Sequence, residues 1–284
     1  MLNQLSMSIF IKKTGFLLAF FVVIMFTACS TKEQPKAETV KKEKAATEVK
    51  VADLSITETP EYLLKAVNDK KNLSEYISKL AAISPEQLES ELNTEDKKMA
   101  FWVNAYNAFI QITLTENPDL YKDRDEFFKK KQVTIAGTEM SFDDIEHGII
   151  RSTTIKLSKG YVSNPFAEGF EKRFQLKERD PRIHFILNCG AKDCPPVYIY
   201  NAKTLDKDFD QVAAAYLKKV SSYDEATKKV KTTPLFQWFT GDWGGKDGVK
   251  EMLARYQIIP NDYKDIELEY IDYDWTLALG NIND

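Results

Sequence analysis

The longest helical pattern in the chain runs from Glu95 to about Thr115, where Phe101, Trp102, Ala105, Phe109, Ile110 and Ile112 recur at the spacing of one helix face, and Pro118 ends it. Upstream, Pro60 and EYLLKAV predict a first helix, with proline in the first turn where its missing N–H costs nothing. Residues 72–83 predict a second helix, and Pro85 opens a short third. Downstream, QVTI (132–135) alternates and is followed by Gly137, the pattern of a strand and hairpin. Ser141 starts another helix, with Asp143, Asp144 and Glu146 at the positive end of its dipole. Residues 152–180 show no sustained period and read as a long excursion. RIHFIL (182–187) reads as a buried strand, and Val197 to Tyr200 as extended chain. Leu205, Phe209, Val212, Ala213, Tyr216, Leu217 and Val220 form one apolar stripe of a helix over 204–220. A last helix is expected over 247–256, and IELEYIDYDW alternates as a terminal strand. No internal repeat is present. The pattern predicts one α+β domain over residues 58–280, mostly helical with a small β-sheet.

The first 57 residues follow other rules. Lys12 and Lys13 precede the apolar run GFLLAFFVVIMFTA, which stops at Cys29. That run is shorter than the roughly 20 apolar residues of a membrane-spanning helix, and its layout is that of a secretory signal over residues 1–28. Phe26-Thr27-Ala28-Cys29 resembles a bacterial lipobox, apart from Phe26 where Leu is usual. The resemblance implies lipidation of Cys29, a membrane partner held through that lipid, and residence in the cell envelope. Ser30 rather than Asp follows the cysteine, which favours the outer membrane. Loss of Lys12 and Lys13 takes the formal charge from −4 to −6. Residues 31–50 hold six Lys, four Glu and no aromatic residue. Such a stretch buries too little apolar surface to order itself, so residues 29–57 read as a tether.

Composition narrows the chemistry. An acidic chain has no basic excess to neutralise a phosphate backbone, so no nucleic-acid partner is expected. Three cysteines and two histidines are all the thiol and imidazole there is. DPRIHFILNCGAKDCPP (180–196) carries one histidine and two of the cysteines. Cys189 at a strand end, followed by Gly190, is a candidate nucleophile, since a thiolate there is rigidly held and exposed at a turn. His184 lies five residues earlier; on a straight strand that odd spacing places the two side chains on opposite faces. His147 is therefore the expected base, with Asp143 at i−4 to orient it. The Gly190 amide is a candidate oxyanion donor, and Arg151, four residues after His147, a candidate clamp for an oxyanion or carboxylate. Asn104, Asn107, Glu146, His184 and Asn188 complete the residues expected to bind substrate, although the asparagines equally suit hydrogen-bonded scaffolding.

Competing readings stand beside this one. In an exported protein Cys189 and Cys194 suit a structural disulfide. A structural zinc on both Cys and both His is arithmetically possible, but C-x4-C is a long spacing for it. His184 also suits a satisfied core position. Trp238 to Gly245 (WFTGDWGG) reads either as core plus turn or as an exposed platform for a sugar or peptide. Nucleotide-binding, zincin and lipase-type motifs do not occur, and neither metal nor cofactor is called for.

FWVNAYNAF (101–109), SFDDIEHGIIR (141–151), DPRIHFILNCGAKDCPP (180–196) and YDW (273–275), in that order, resemble the DUF547 family of domains of unknown function. The family occurs in bacterial exported proteins and, with coiled-coil additions, in plants. The resemblance implies a fold unit and no reaction. Its characteristic positions here are Asn104, Asn107, Glu146, His147, Gly148, Arg151, Arg182, His184, Asn188, Cys189, Gly190 and Pro195. Plant relatives often replace the second cysteine, which implies more weight on Cys189 than on Cys194. Two functional expectations follow. One is a thiol-dependent hydrolase or acyl-transferase acting on an amide or ester of an unknown envelope or extracellular molecule. The other is a non-catalytic binding or assembly module stapled by a Cys189–Cys194 disulfide, with an unknown envelope substrate or protein as partner.

Overall fold

Why does the Glu95–Glu116 helix sit at the centre? Thr94 caps it by accepting the Lys97 amide, and from Met99 to Ile112 every residue is buried, so this helix is enclosed on all sides. The computed structural model describes residues 49–283, which form one α+β domain. The signal segment, Cys29 and most of the tether lie outside the described residues. Around α4 (Glu95–Glu116) pack α1 (Thr59–Asn68), α2 (Ser74–Ala82), α3 (Pro85–Glu91) and α5 (Arg124–Lys129). A hairpin of β1 (Val133–Ile135) and β2 (Thr138–Met140) closes this side. Its turn residues Ala136 and Gly137 both have positive φ, as a two-residue hairpin turn requires.

A second, smaller core gathers Phe185, Tyr216, Leu217, Val230, Phe236, Trp243, Val249 and Leu253. It is built from α7 (Leu205–Val220), α8 (Leu235–Trp238), α9 (Lys246–Arg255) and a three-stranded sheet. In that sheet β5 (Lys229–Thr232) is central, antiparallel to β4 (Ser222–Asp224) and parallel to β6 (Glu267–Tyr270). The remaining short elements are α6 (Gly169–Phe174), β3 (Val197–Tyr198) and β7 (Ile282–Asn283), the last two paired in parallel. Among the described residues no helix is long and apolar enough to cross a membrane.

Three expectations change. Order begins before Glu58: Val51–Asp53 forms a 3₁₀ turn, Leu54 is buried, and Lys79 Nζ reaches back to the Val51 and Leu54 carbonyls. The run 182–187 is not a strand. Pro181–Phe185 is a 3₁₀ helix, because Asp180 caps the Arg182 amide and Pro181 fits the first turn. Pairing of the predicted terminal strand with β5 stops at Tyr270, and the chain beyond leaves that sheet, carrying Tyr273 and Trp275 to a cleft.

Candidate functional site

The 3₁₀ turn at Pro181–Phe185 removes the argument that separated His184 from Cys189. Both line one cleft of about 380 Å³, together with His147, Asp143, Glu146 and Cys194. Arg151 lies behind that lining.

The cysteine loop is held from below by a polar stripe on α4. Asn107 Nδ2 donates to the Ile186 carbonyl at 3.2 Å, and its Oδ1 accepts the Asn188 amide at 2.9 Å. Asn104 does the same to Tyr200, donating to its carbonyl at 2.7 Å and accepting its amide at 3.0 Å. Asn188 donates to the Pro195 carbonyl at 2.7 Å and accepts the Gly190 amide at 2.9 Å. All three asparagines are buried and each grips backbone, so they fix the loop rather than face a ligand. Asn104, Asn107 and Asn188, expected among the substrate-binding residues, thus have backbone partners on both their amide nitrogen and their carbonyl oxygen. The Gly190 amide, expected as an oxyanion donor, is engaged by Asn188 Oδ1 in this structure. Glycine is required there for other reasons: φ is +87°, and a Cβ would stand 2.9 Å from Leu114. Cys189 and Cys194 form a disulfide with Cα atoms 6.3 Å apart. Cys189 is not a free thiol in this structure.

The floor of the cleft comes from a π-helix, Asp144–Ile150. Ser141 and Asp144 cap its start reciprocally, and the Arg151 amide bonds Glu146 O, five residues back. A π-helix is a rare form that recurs at functional sites. Here it turns Asp143, Glu146 and His147 toward the cleft and Arg151 toward the interior. Arg151 Nη1 lies 2.7 Å from His147 Nδ1. A guanidinium only donates, so Nδ1 is the acceptor and the ring proton sits on Nε2. Nε2 faces Asp143 Oδ1 at 3.6 Å. Burial, aided by the charge of Arg151, pushes the His147 pKa down to about 3. The imidazole is therefore neutral, with its lone pair already taken. In this arrangement the His147 Nδ1 lone pair is turned to Arg151, while the Cys189 sulfur of the expected Cys189–His147–Asp143 arrangement is held in the disulfide. Asp143 does share a face with His147, but its close partner is Lys156 at 2.8 Å. Glu146, expected among the substrate-binding residues, has Oε1 3.6 Å from His147 Nδ1 and accepts the Tyr106 hydroxyl at 3.0 Å.

Asp242 is the residue the sequence concealed. Its side chain is 1% exposed, and it accepts from His184 Nε2 (2.8 Å), Arg151 Nε (2.8 Å) and Arg179 Nη1 (3.0 Å). Burial alone would raise its pKa; the bonds from His184 and Arg151 instead hold the carboxyl well below the usual range. Burial lowers the pKa of His184, which its bond to Asp242 only partly offsets. His184 is thus a neutral ring donating Nε2–H to an ionised carboxylate, with Nδ1 left as the lone-pair nitrogen. It stacks on Phe239 at 3.8 Å. Arg151, expected to clamp a substrate, clamps Asp242 instead. The only sequence signal for Asp242 was its place between glycines in TGDWGG.

A cluster of aromatic side chains lines the same cleft. Trp238 and Trp275 stack at 5.3 Å, and Tyr273 packs against them at 5.1 and 4.8 Å. Arg124 lies 4.8 Å from the Trp275 ring centre. WFTGDWGG thus divides: Trp238 and Phe239 line the cleft, while Trp243 is core. Among the described residues no group of three or more His, Cys, Asp or Glu is arranged to hold a metal ion.

No curated protein and no solved structure matches the chain. The family described as "Protein of unknown function, DUF547" matches residues 89–217, from the end of α3 into α7, a span that leaves out Trp238, Asp242 and Tyr273. This match supports assigning the segment with the α4 asparagines, the π-helix and the cysteine loop to the DUF547 domain family.

Proposed function

We propose that the protein is a lipid-anchored component of the cell envelope, held at the outer membrane through Cys29, whose folded domain is a binding or assembly module. The anchor rests on the lipobox-like Phe26-Thr27-Ala28-Cys29, and the observation that carries the module is the cleft itself, lined by Trp238, Tyr273 and Trp275 together with Asp143 and Glu146, with the cysteine loop closed by a disulfide. Such a site fits a small amphipathic ligand, or the end of a larger one, that lays an apolar face on the rings and presents ammonium or hydroxyl donors to the carboxylates. Thermal-shift titration against amino sugars, amines and short peptides tests it. Binding should be lost in both Trp238→Ala and Glu146→Gln; a shift that survives both contradicts the assignment.

A second reading, a thiol-dependent hydrolase or acyl-transferase, is favoured by one specific observation: Cys189 and both histidines line the same cleft. In that reading the base is His184, oriented by Asp242, and the disulfide must first open. Amide or ester hydrolysis that appears only after reduction and vanishes in Cys189→Ser selects it. Ligand binding indifferent to both treatments selects the first.

A further inference from the structure

The two sulfurs of the disulfide are chemically unequal. Cys194 is 7% exposed, whereas Cys189 is partly exposed at the cleft. Cys194 Sγ accepts the Cys189 amide at 3.1 Å and the Tyr273 hydroxyl at 3.2 Å. Cys189 Sγ lies farther from the same hydroxyl, at 3.9 Å. Tyr273 packs against both Trp238 and Trp275, and burial raises its pKa, so it remains a donor. Exchange of a disulfide needs access to the sulfur attacked and stability of the thiolate that leaves. Here access and thiolate stabilisation are assigned to different sulfurs.

We propose that Cys189–Cys194 is a thiol–disulfide exchange site, in which the thiolate of a small thiol or dithiol attacks Cys189 Sγ and Cys194 leaves as the thiolate. The incoming thiol gives its proton to solvent. A bond forms between its sulfur and Cys189 Sγ while the Cys189–Cys194 bond breaks, and the bonding pair stays on Cys194, received by the Cys189 N–H and the Tyr273 O–H. With a dithiol, the second thiol attacks the mixed disulfide. The reductant departs as its own disulfide, and the protein is left with two thiols, having gained two electrons and two protons. This inference does not depend on which ligand the cleft binds.

The test uses the full-length chain under native conditions, with glutathione as the monothiol. Free thiols are trapped with iodoacetamide and the peptides mapped by mass spectrometry, the Cys29 peptide being read separately. The expected result is glutathione on Cys189 and alkylation on Cys194, with the opposite adduct about ten-fold rarer or less. Tyr273→Phe, shown folded by its near-ultraviolet circular dichroism, should slow reduction by dithiothreitol about five- to ten-fold through loss of one donor. An adduct on Cys194, an even split, or exchange only after unfolding in urea overturns the proposal. An unchanged rate in Tyr273→Phe overturns the assignment of the leaving group.

Discussion

The asparagines of α4 and the carboxylates of the π-helix are both polar groups set inside a largely apolar domain, yet they do opposite work. Each asparagine meets an amide and a carbonyl of one loop, so its hydrogen-bonding capacity is spent on backbone. Asp143 and Glu146 are only partly enclosed by Lys156, Tyr106 and the His147 ring, and both border the cleft. Complete satisfaction marks scaffolding; partial satisfaction beside a cleft marks a place for a ligand. Sequence alone cannot make this distinction, because the same side chains serve either role.

Perturbing the scaffold should cost stability, and perturbing the cleft floor should cost little. The largest loss is expected from Asp242→Asn. It leaves buried Arg151 without its counter-charge, a change worth about 3–5 kcal/mol by urea denaturation. A loss under about 1 kcal/mol would show that the network is not a support. Acidification comes next. The folded pKa of His147 and of His184 lies below that of the unfolded chain, so below about pH 6.5 the unfolded state takes up protons that the folded state refuses. Stability should therefore be full above that pH and fall by up to about 1.4 kcal/mol per unit per histidine between pH 6.5 and 5. A flat profile there would mean that the rings accept protons within the fold.

Asn107→Ala should cost about 1–3 kcal/mol, because it strips a partner from the Ile186 carbonyl and the Asn188 amide together. If its stability equals that of the parent protein, the distinction between scaffold and cleft collapses. At the other extreme, Lys156→Ala removes a partly exposed partner of Asp143 and should change stability by less than about 1 kcal/mol. A larger change would make Asp143 a structural residue.

Much of the fold was legible because its signals are local. Pro60, Pro85 and Ser141 mark helix starts, Gly137 marks the hairpin, and the stripe from Leu205 to Val220 matches α7 along its length. The run 182–187 failed where two local signals competed. Its apolar residues imitate a strand, while Asp180 and Pro181 dictate a helical turn, and the cap prevailed. That strand reading also supplied the argument that set His184 apart from Cys189. Candidate residues in the π-helix and cysteine loop were legible as scarce chemistry in short segments, but their partners were not. Asp242 lies 91 residues after Arg151 and 58 after His184, and no local pattern encodes such a meeting. Tyr273 was legible within YDW, but its bond to Cys194, 79 residues earlier, was hidden for the same reason.

The central claim is that the cleft rests on two neutral imidazoles, His147 held by Arg151 and His184 held by Asp242. With only two histidines in the chain, long-range ¹H–¹⁵N correlation spectra of the rings at pH 7 read that claim directly. The account predicts two neutral rings, each protonated on Nε2 with an unprotonated Nδ1. An imidazolium at either position, or a proton on Nδ1 of His147, would contradict it.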